Sequence, residues 1–315
     1  MAVRAAYAAM RHGLDAAIQL RDAVYLSSSE AARTMDDGLQ DLENRIDVWL
    51  TFQDEIDDPS LLTAFASLLD AEETRRNAAY HFARDRKCHL ITRALVRTVL
   101  SRYAPVLPKD WAFTTNAYGK PAIVNAVPAA KGLAFNVSHT QGLIALAVAR
   151  KGRLGIDVEN ADAHDGLAAL AVDVLSADEL SAFRSLPSTR REHAFLRHWT
   201  LKEAYVKARG AGLSIPLTRF SIGHVSPCVQ QMHGDPAVAD GEAHWVFAQY
   251  QIAQRFVLAL CSSHSENNPS ALRFRKVVPL LTEEALLPQP LGCLFPHAHP
   301  SEACSAMVSE QPLTT

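Results

Sequence analysis

The chain has 315 residues, 48% of them hydrophobic and 21% charged, with a formal net charge of −3. This composition is typical of a folded protein of one large or two ordinary domains, and the weak negative charge disfavours nucleic-acid binding through a general basic surface. Five scattered cysteines without C-x-x-C spacing argue against a disulfide framework and a zinc site, and no apolar run is long enough to span a membrane.

The N-terminal half is predicted to consist of helices followed by strands. Residues 1–45 form an Ala-rich extension without the apolar core of a secretory signal. It is either a helical extension or an organelle-type presequence; Asp15 and Asp22 favour the helix, so we expect a cytoplasmic protein. Alternating apolar residues predict a strand over 46–52. Asp58 before Pro59 predicts a helix start, and residues 61–104 are typical of two or three helices. A turn at 116–121 precedes two paired strands over 133–139 and 143–149.

The C-terminal half repeats this order, with a strand over 154–160, a capping box at Ser176–Glu179 and a long helix over 190–209 that ends at Gly210. Strands are predicted over 217–223, 244–252 and 256–263. Beyond residue 264 the pattern fades, and we expect a mostly irregular tail to residue 315. The fold class is therefore α+β, with one half over 46–152 and another over 153–263.

Two carboxylates share one face of the strand over 154–160. Asp157 and Glu159 are two residues apart, and alternate residues of a strand point the same way. Like charges this close repel, and a divalent cation held by oxygen ligands is the usual compensation. The alternative is a strand end whose two acids are simply solvated.

The long helix carries an acid and a base on one face. Glu203 and Lys207 are four residues apart, so their side chains lie one above the other. Trp199, Ala204 and Tyr205 indicate that much of this helix is buried. The alternative is an ordinary surface ion pair, which contributes only a few tenths of a kcal/mol.

Three further features point to a ligand with phosphate groups. Ser138 and His139 stand at a strand-to-turn junction, where binding is favoured over catalysis because neighbouring strand residues point to opposite sides. Lys120 lies in a tight turn, where an ammonium suits a phosphate. The helical region before it is basic, which fits either a solvated face or a docked polyphosphate.

Taken in order, the motifs GKP (119–121), FNVSHT (135–140), GIDVE (155–159) and WTLKEAYVK (199–207) closely resemble those of the 4'-phosphopantetheinyl transferases of the surfactin-synthetase-activating type. The resemblance covers about residues 45–263. It implies two similar α+β halves related by a pseudo-twofold, with the active site between them. It also implies a monomeric enzyme that uses Mg²⁺, or Mn²⁺ in its place, to move the phosphopantetheine arm of coenzyme A onto a serine of an apo acyl- or peptidyl-carrier protein.

The resemblance implies roles for residues at matching positions. Asp157, Glu159 and Glu203 would hold the metal, and Lys207 would contact the phosphates and stabilise charge on the leaving group. Glu203 would also take the proton from the carrier serine, directly or through a water. For coenzyme A, the resemblance implies contacts to the 3'-phosphate from Ser138, His139, Lys120 and Arg76, and an adenine lining of Thr115, Asn116, Ala117 and Tyr118. It also implies contacts from the adjoining Gly119, Pro121, Asn136 and Val137, and from either Arg86 or Lys87.

Two departures from the family pattern bear on ligands and partners. Where relatives often carry a further coenzyme A-binding arginine, this chain has Lys87 or Cys88, and Val174-Leu175-Ser176 lacks the aromatic residue that many relatives place before the serine. Two other functions are weighed against transfer of phosphopantetheine. One is another Mg²⁺-dependent phosphoryl or nucleotidyl transferase, and the other is a catalytically silent protein of the same fold that binds coenzyme A or carriers.

Overall fold

The computed structural model describes residues 42, 45–150, 152–163, 166–226, 229–234, 244–264 and 271–291. The extension predicted for residues 1–45 lies outside the described residues except for Leu42 and Arg45, as does the tail beyond residue 291. Among the described residues, no helix combines the length and the apolar character needed to cross a bilayer.

The first half contains one long strand, three helices and two strand pairs. Its elements are β1 (Arg45–Phe52), α1 (Pro59–Ala66), α2 (Ala71–Ala79), α3 (Ala83–Leu100), β2 (Phe113–Thr115), β3 (Pro121–Ile123), β4 (Leu133–Thr140) and β5 (Leu143–Arg150). Asp58 caps α1 by accepting from Ser60 N, which confirms the predicted helix start. Asp70 and Glu73 form a capping box at the start of α2.

The second half starts again with a strand and then helices. Its elements are β6 (Leu154–Asn160), α4 (Ala171–Val174), α5 (Ala177–Arg184), α6 (Ser188–Arg209), β7 (Phe220–Ser226), β8 (Val229–Gly234), β9 (His244–Ile252) and β10 (Phe256–His264). The predicted capping box at Ser176 and Glu179 is confirmed. Helix α6 ends at Gly210, whose φ of +65° is the left-handed conformation that glycine adopts without strain.

One sequence prediction is wrong: the region after residue 264 is not an irregular tail throughout. Strands β11 (Ala271–Val278), β12 (Thr282–Ala285) and β13 (Gln289–Pro290) extend both sheets, and β11 pairs in parallel with β1. Leu272, Phe274 and Val277 of β11 are buried, so this strand completes the core of the first sheet. The apolar–polar alternation of β11 is short, and the Pro- and Ser-containing stretches around it are typical of loops, so the sequence pattern did not indicate a strand.

The two sheets pack face to face and each is covered by helices on its outer side. Their strand orders are β12-β11-β1-β5-β4 and β6-β10-β9-β8-β7, with β13 beside β9. Apolar side chains of β1, β5, β6 and β10 form a shared core between the sheets. Helices α1 and α3 cover the far face of the first sheet, and α6 covers that of the second. This arrangement confirms the α+β fold class.

The two halves share one pattern of strand pairing. In each half the first strand pairs antiparallel with the last, which pairs antiparallel with the strand before it: β1-β5-β4 and β6-β10-β9. A pseudo-twofold relation would require this shared order. The division at residues 152 and 153 stays a prediction, because β11 returns from the end of the chain to the first sheet.

Candidate functional site

Strand β6 turns its two acids toward helix α6. Ile156 and Val158 lie in the core between the sheets, so the alternate residues 155, 157 and 159 face the other way. Gly155 lies so close to α6 that an added Cβ would overlap Ala204 O and stand 2.5 Å from Ala208 N. Only glycine permits this approach, which brings Asp157 beside the last turns of the helix.

A lysine, an aspartate and a serine form a tight contact where the halves meet. Lys207 Nζ lies 2.6 Å from Asp157 Oδ1 and donates to Ser138 Oγ at 2.8 Å. Ser138 Oγ in turn donates to Asp157 Oδ1 at 2.9 Å. Asp157 is only 3% exposed, so the ammonium compensates a carboxylate that is almost wholly removed from water. The structure thus brings together three residues predicted to belong to one site.

Glu159 is held beside this contact by two donors. Trp199 Nε1 donates to its Oε1 at 3.4 Å, and Thr140 Oγ1 donates to its Oε2 at 3.3 Å. Trp199 is four residues before Glu203 on α6, as Glu203 is four before Lys207, so all three share one face of the helix. Thr140 continues on β4 the face that carries Ser138.

Glu203 completes the acidic cluster. Its pKa is raised first by burial and then by the negative charge of Asp157, while Lys207 opposes the rise and Glu159 adds to it. The charges of Asp157 and Glu159 are therefore close enough to disfavour the ionised form of Glu203. A cluster of this kind is stabilised by a cation and suits a group that must hold a proton during a reaction.

The donor set fits a hard divalent cation. Asp157 Oδ2 is buried and has no hydrogen-bond partner among the described residues, which leaves one carboxylate oxygen without a donor. Carboxylate oxygens are the ligands that Mg²⁺ prefers. No three His, Cys, Asp or Glu side chains of the described ranges already stand in a ligating arrangement. The set of Asp157, Glu159 and Glu203 is therefore inferred from donor chemistry.

A cavity of about 370 Å³ opens beside the cluster, between the start of α3 and the end of β4. Thr140 and His139 line it, and because Thr140 donates to Glu159, the cavity adjoins the acidic cluster at that residue. Desolvation by the surrounding protein and then the charge of Lys207 lower the pKa of His139, although the residue is partly open to solvent. The residues that line the cavity include Tyr80, Arg84, His89, His139, Thr140 and Gln141, and most of the surface that they turn toward it is apolar.

The basic residues predicted on the helices have different positions. Arg86 Nη1 donates to the carbonyls of Tyr80 and His81 and holds the loop before α3. Lys87 Nζ lies 2.6 Å from Asp57 Oδ1. Arg76 is exposed at the end of α2, where its charge reaches His89 on the cavity wall. Of these three residues, Arg76 has the position that best suits a ligand in the cavity.

The turn between β2 and β3 lies against the end of α6. Asn116 Nδ2 donates to Gly210 O at 2.7 Å, and Tyr118 packs against Gly212 while remaining 60% exposed. Lys120 Nζ donates to the carbonyls of Leu154 and Ala208, so its ammonium is not presented to a phosphate. The exposed neighbours along this turn are Thr115, Ala117 and Gly119, followed by the partly exposed Pro121.

Asn136 has a structural contact rather than a ligand contact. Its Oδ1 accepts from Ile156 N at 2.8 Å and so joins the edge strand of the first sheet to that of the second. Val137, one residue later, points to the opposite side and packs against the apolar core between the first sheet and helices α1 and α3. Sequence reasoning also missed Gly155, Trp199 and Thr140 as site residues. The four-residue spacing from Trp199 to Glu203 was the available signal for the tryptophan.

Two family models match the described halves. Residues 153–261 match the 4'-phosphopantetheinyl transferase superfamily, and residues 58–151 match the N-terminal region of a 4'-phosphopantetheinyl transferase. The chain is 33% identical over 173 residues to the 4'-phosphopantetheinyl transferase HetI of Nostoc sp., which covers 55% of this chain and 72% of the relative. It is 26% identical over 206 residues to Sfp of Bacillus subtilis, with 64% and 85% covered.

Among solved structures, the holo-[acyl-carrier-protein] synthase of Neisseria meningitidis is similar over a smaller part. It covers 36% of this chain and 97% of its own length, with 20% sequence identity and a TM-score of 0.31.

Proposed function

This chain belongs to the 4'-phosphopantetheinyl transferase superfamily, and from that premise we propose that it moves phosphopantetheine from coenzyme A to a serine of an apo acyl- or peptidyl-carrier protein. The released product is adenosine 3',5'-bisphosphate. The observation that carries the proposal is the cluster of Asp157, Glu203 and Lys207 beside Ser138, at the junction of the two halves.

Each acid of the cluster has a part in binding the metal. Asp157 offers the buried Oδ2 that lacks a partner among the described residues, and Glu159 is oriented by Trp199 and Thr140. Mg²⁺ bound here would neutralise charge on the diphosphate of coenzyme A. With Glu203 as the remaining acid, the ligands come from one strand and one helix, whose close approach Gly155 permits.

Glu203 is the proposed general base. A serine hydroxyl is a weak nucleophile without a neighbouring base, and the Glu203 carboxylate, close to Asp157 and Lys207, is proposed to supply that base directly or through a water. The serine Oγ forms a bond to the β-phosphorus, its proton passes to Glu203, and the bond from that phosphorus to the bridging oxygen breaks. The electron pair leaves with adenosine 3',5'-bisphosphate.

Lys207 is the proposed stabiliser of the developing negative charge. Its side chain is 29% exposed, so it can meet a phosphate oxygen while its other donors hold Asp157 and Ser138. A fixed cation of this kind acts where charge grows during phosphoryl transfer.

Coenzyme A is proposed to lie in the cavity beside the cluster. His139, with Arg76 behind His89, supplies hydrogen bonding and positive charge near the cavity wall. The adenine is proposed to lie along Thr115–Tyr118, where the exposed Tyr118 ring offers a stacking surface. The natural carrier, the monomeric state and the cytoplasmic address stay predictions.

The test is intact-protein mass spectrometry of several apo-carrier proteins incubated with the chain, coenzyme A and Mg²⁺. We expect a gain of one phosphopantetheine that is lost with EDTA and lost when the carrier serine is replaced by alanine. Coenzyme A binding without transfer to any carrier would contradict the proposal and would favour a silent binding protein of the same fold.

A further inference from the structure

Lys120 lies in a turn of the N-terminal half and contacts two elements of the C-terminal half, β6 and α6. Its Nζ donates to Leu154 O of β6 at 3.0 Å and to Ala208 O of α6 at 2.8 Å. The turn that carries Lys120 is the β2–β3 turn, distant in sequence from both acceptors.

These two carbonyls flank the Lys207–Asp157 contact. Ala208 directly follows Lys207 on α6, and Leu154 is three residues before Asp157 on β6. Between them lies Gly155, where helix and strand approach closely. A single ammonium therefore joins the helix to the strand immediately beside the pair that the reaction uses.

The end of α6 needs such a partner. The last four carbonyls of a helix have no intrahelical donor, and a cation there also suits the negative end of the helix dipole. Ala208 O belongs to this last turn and accepts from Lys120. Asn116 Nδ2 is a second donor at the helix end and donates to Gly210 O. The packing is close, since a Cβ on Gly210 would lie 2.9 Å from Lys120 Cδ.

We propose that Lys120 is a positioning residue for phosphopantetheine transfer: by joining Leu154 O to Ala208 O, it sets the separation of β6 and α6 and thereby the placement of Lys207 against Asp157. This proposal rests on the proposed function. It replaces the phosphate contact that the family resemblance implied for Lys120.

The electrostatics of the turn are compatible with this role, and a phosphate contact is disfavoured because the Lys120 ammonium already donates to two carbonyls. Burial, with the charge of Arg153, lowers the pKa of Lys120 to about 8, while Cys261 acts in the opposite direction. With a pKa of about 8 the group stays mostly protonated at neutral pH, so it donates to the two carbonyls as an ammonium.

The first experiment compares Lys120→Met with the wild type, using coenzyme A and 3'-dephospho-coenzyme A as donors. We expect kcat to fall roughly 10- to 100-fold, because small misplacements of catalytic groups cost this much, while KM changes little. The loss is expected to be the same with both donors. The exposed Lys131 provides the control: Lys131→Met removes an equal charge and should leave both constants unchanged.

A second measurement shows whether Lys120 acts through Lys207. In a double-mutant cycle, Lys120→Met should cost much less in a Lys207→Met background than in the wild type. A general loss of stability would instead give the same factor in both backgrounds. Hydrogen exchange of Lys120→Met should accelerate in the last turn of α6 and at the start of β6, and it needs no transfer activity.

Three results would overturn the proposal. One is a rise in KM for coenzyme A that disappears with 3'-dephospho-coenzyme A, which would make Lys120 a phosphate contact. Another is unchanged kcat, and the third is unchanged exchange at the end of α6. If Lys120→Met fails to fold, Lys120→Gln, which keeps an N–H donor on a shorter side chain, is measured in the same way. If the wild type transfers to no carrier, the proposed function fails, while the exchange measurement still tests the contact.

Discussion

Lys207 Nζ lies 2.6 Å from Asp157 Oδ1, although the two residues come from a helix and a strand fifty positions apart. Ser138 of a third element, β4, joins both of them. The contact places a cation on one oxygen of a buried carboxylate and leaves the other oxygen without a partner among the described residues. A site of this form is prepared for a second cation.

Replacing Lys207 by methionine tests this electrostatic arrangement. Without the ammonium, Asp157 stays buried and uncompensated, and we expect a loss of roughly 1–3 kcal/mol in the free energy of unfolding. This is less than for a fully buried pair, because the lysine side chain is 29% exposed. Added Mg²⁺ should raise the melting temperature of Lys207→Met more than that of the wild type, because the cation then also replaces the lost charge. Equal shifts would argue against a cation site at Asp157.

Gly155→Ala tests the close approach of β6 and α6. The new Cβ would overlap Ala204 O, so strand and helix must separate. We expect a loss of about 1–3 kcal/mol in stability and a fall in kcat of at least ten-fold, since Lys207 and Glu203 move away from Asp157. Gly132→Ala is the control, because its φ of +79° strains the backbone while its Cβ meets nothing within 4 Å. That control should lose stability and keep its kcat; an active Gly155→Ala would contradict the argument.

The C-terminal strands predict the outcome of truncation. A chain ending at residue 264 loses β11, which pairs with β1 and buries Leu272, Phe274 and Val277. It also loses the acceptor Val277 O of buried Thr51. We expect this chain to be unfolded or aggregated by circular dichroism and size-exclusion chromatography. A chain ending at residue 291 keeps every described contact and is the control; normal folding of the shorter chain would show that β11 is dispensable.

The lowered pKa of Lys120 predicts how stability depends on pH. In the folded chain its pKa is about 8, against 10.5 when unfolded, so between these values the unfolded state binds more protons. Stability from this group therefore rises with pH across that window, by at most about 3 kcal/mol. Urea unfolding from pH 7.5 to 10 should show this rise in the wild type and a smaller one in Lys120→Met. Identical slopes would contradict the shift.

Much of the site could be predicted from local sequence. Alternation along β6 placed Asp157 and Glu159 on one face, and the four-residue spacing on α6 placed Glu203 and Lys207 together. The end of α6 was predicted from Gly210. These features depend only on strand and helix periods and on the conformational freedom of glycine, which act over a few residues.

The features that were missed depend on distant partners. Lys120 was correctly placed in a turn, but the two carbonyls that receive its ammonium belong to elements whose positions are set by tertiary packing. Gly155 is part of a sequence motif, but the need for glycine at this position comes from the backbone of α6, about fifty residues later in the chain. Strand β11 finds its partner β1 more than two hundred residues earlier, which no local pattern indicates.

The most direct test of the central claim compares the wild type with Glu203→Gln in the same transfer assay. Both proteins are checked for folding and for coenzyme A binding, and the mass of an apo-carrier protein is followed with coenzyme A and Mg²⁺. We predict that the wild type adds one phosphopantetheine to the carrier serine, and that Glu203→Gln binds coenzyme A yet leaves the carrier unmodified. Transfer by Glu203→Gln at the wild-type rate would contradict the role of Glu203, and an unmodified carrier with the wild type would contradict the function itself.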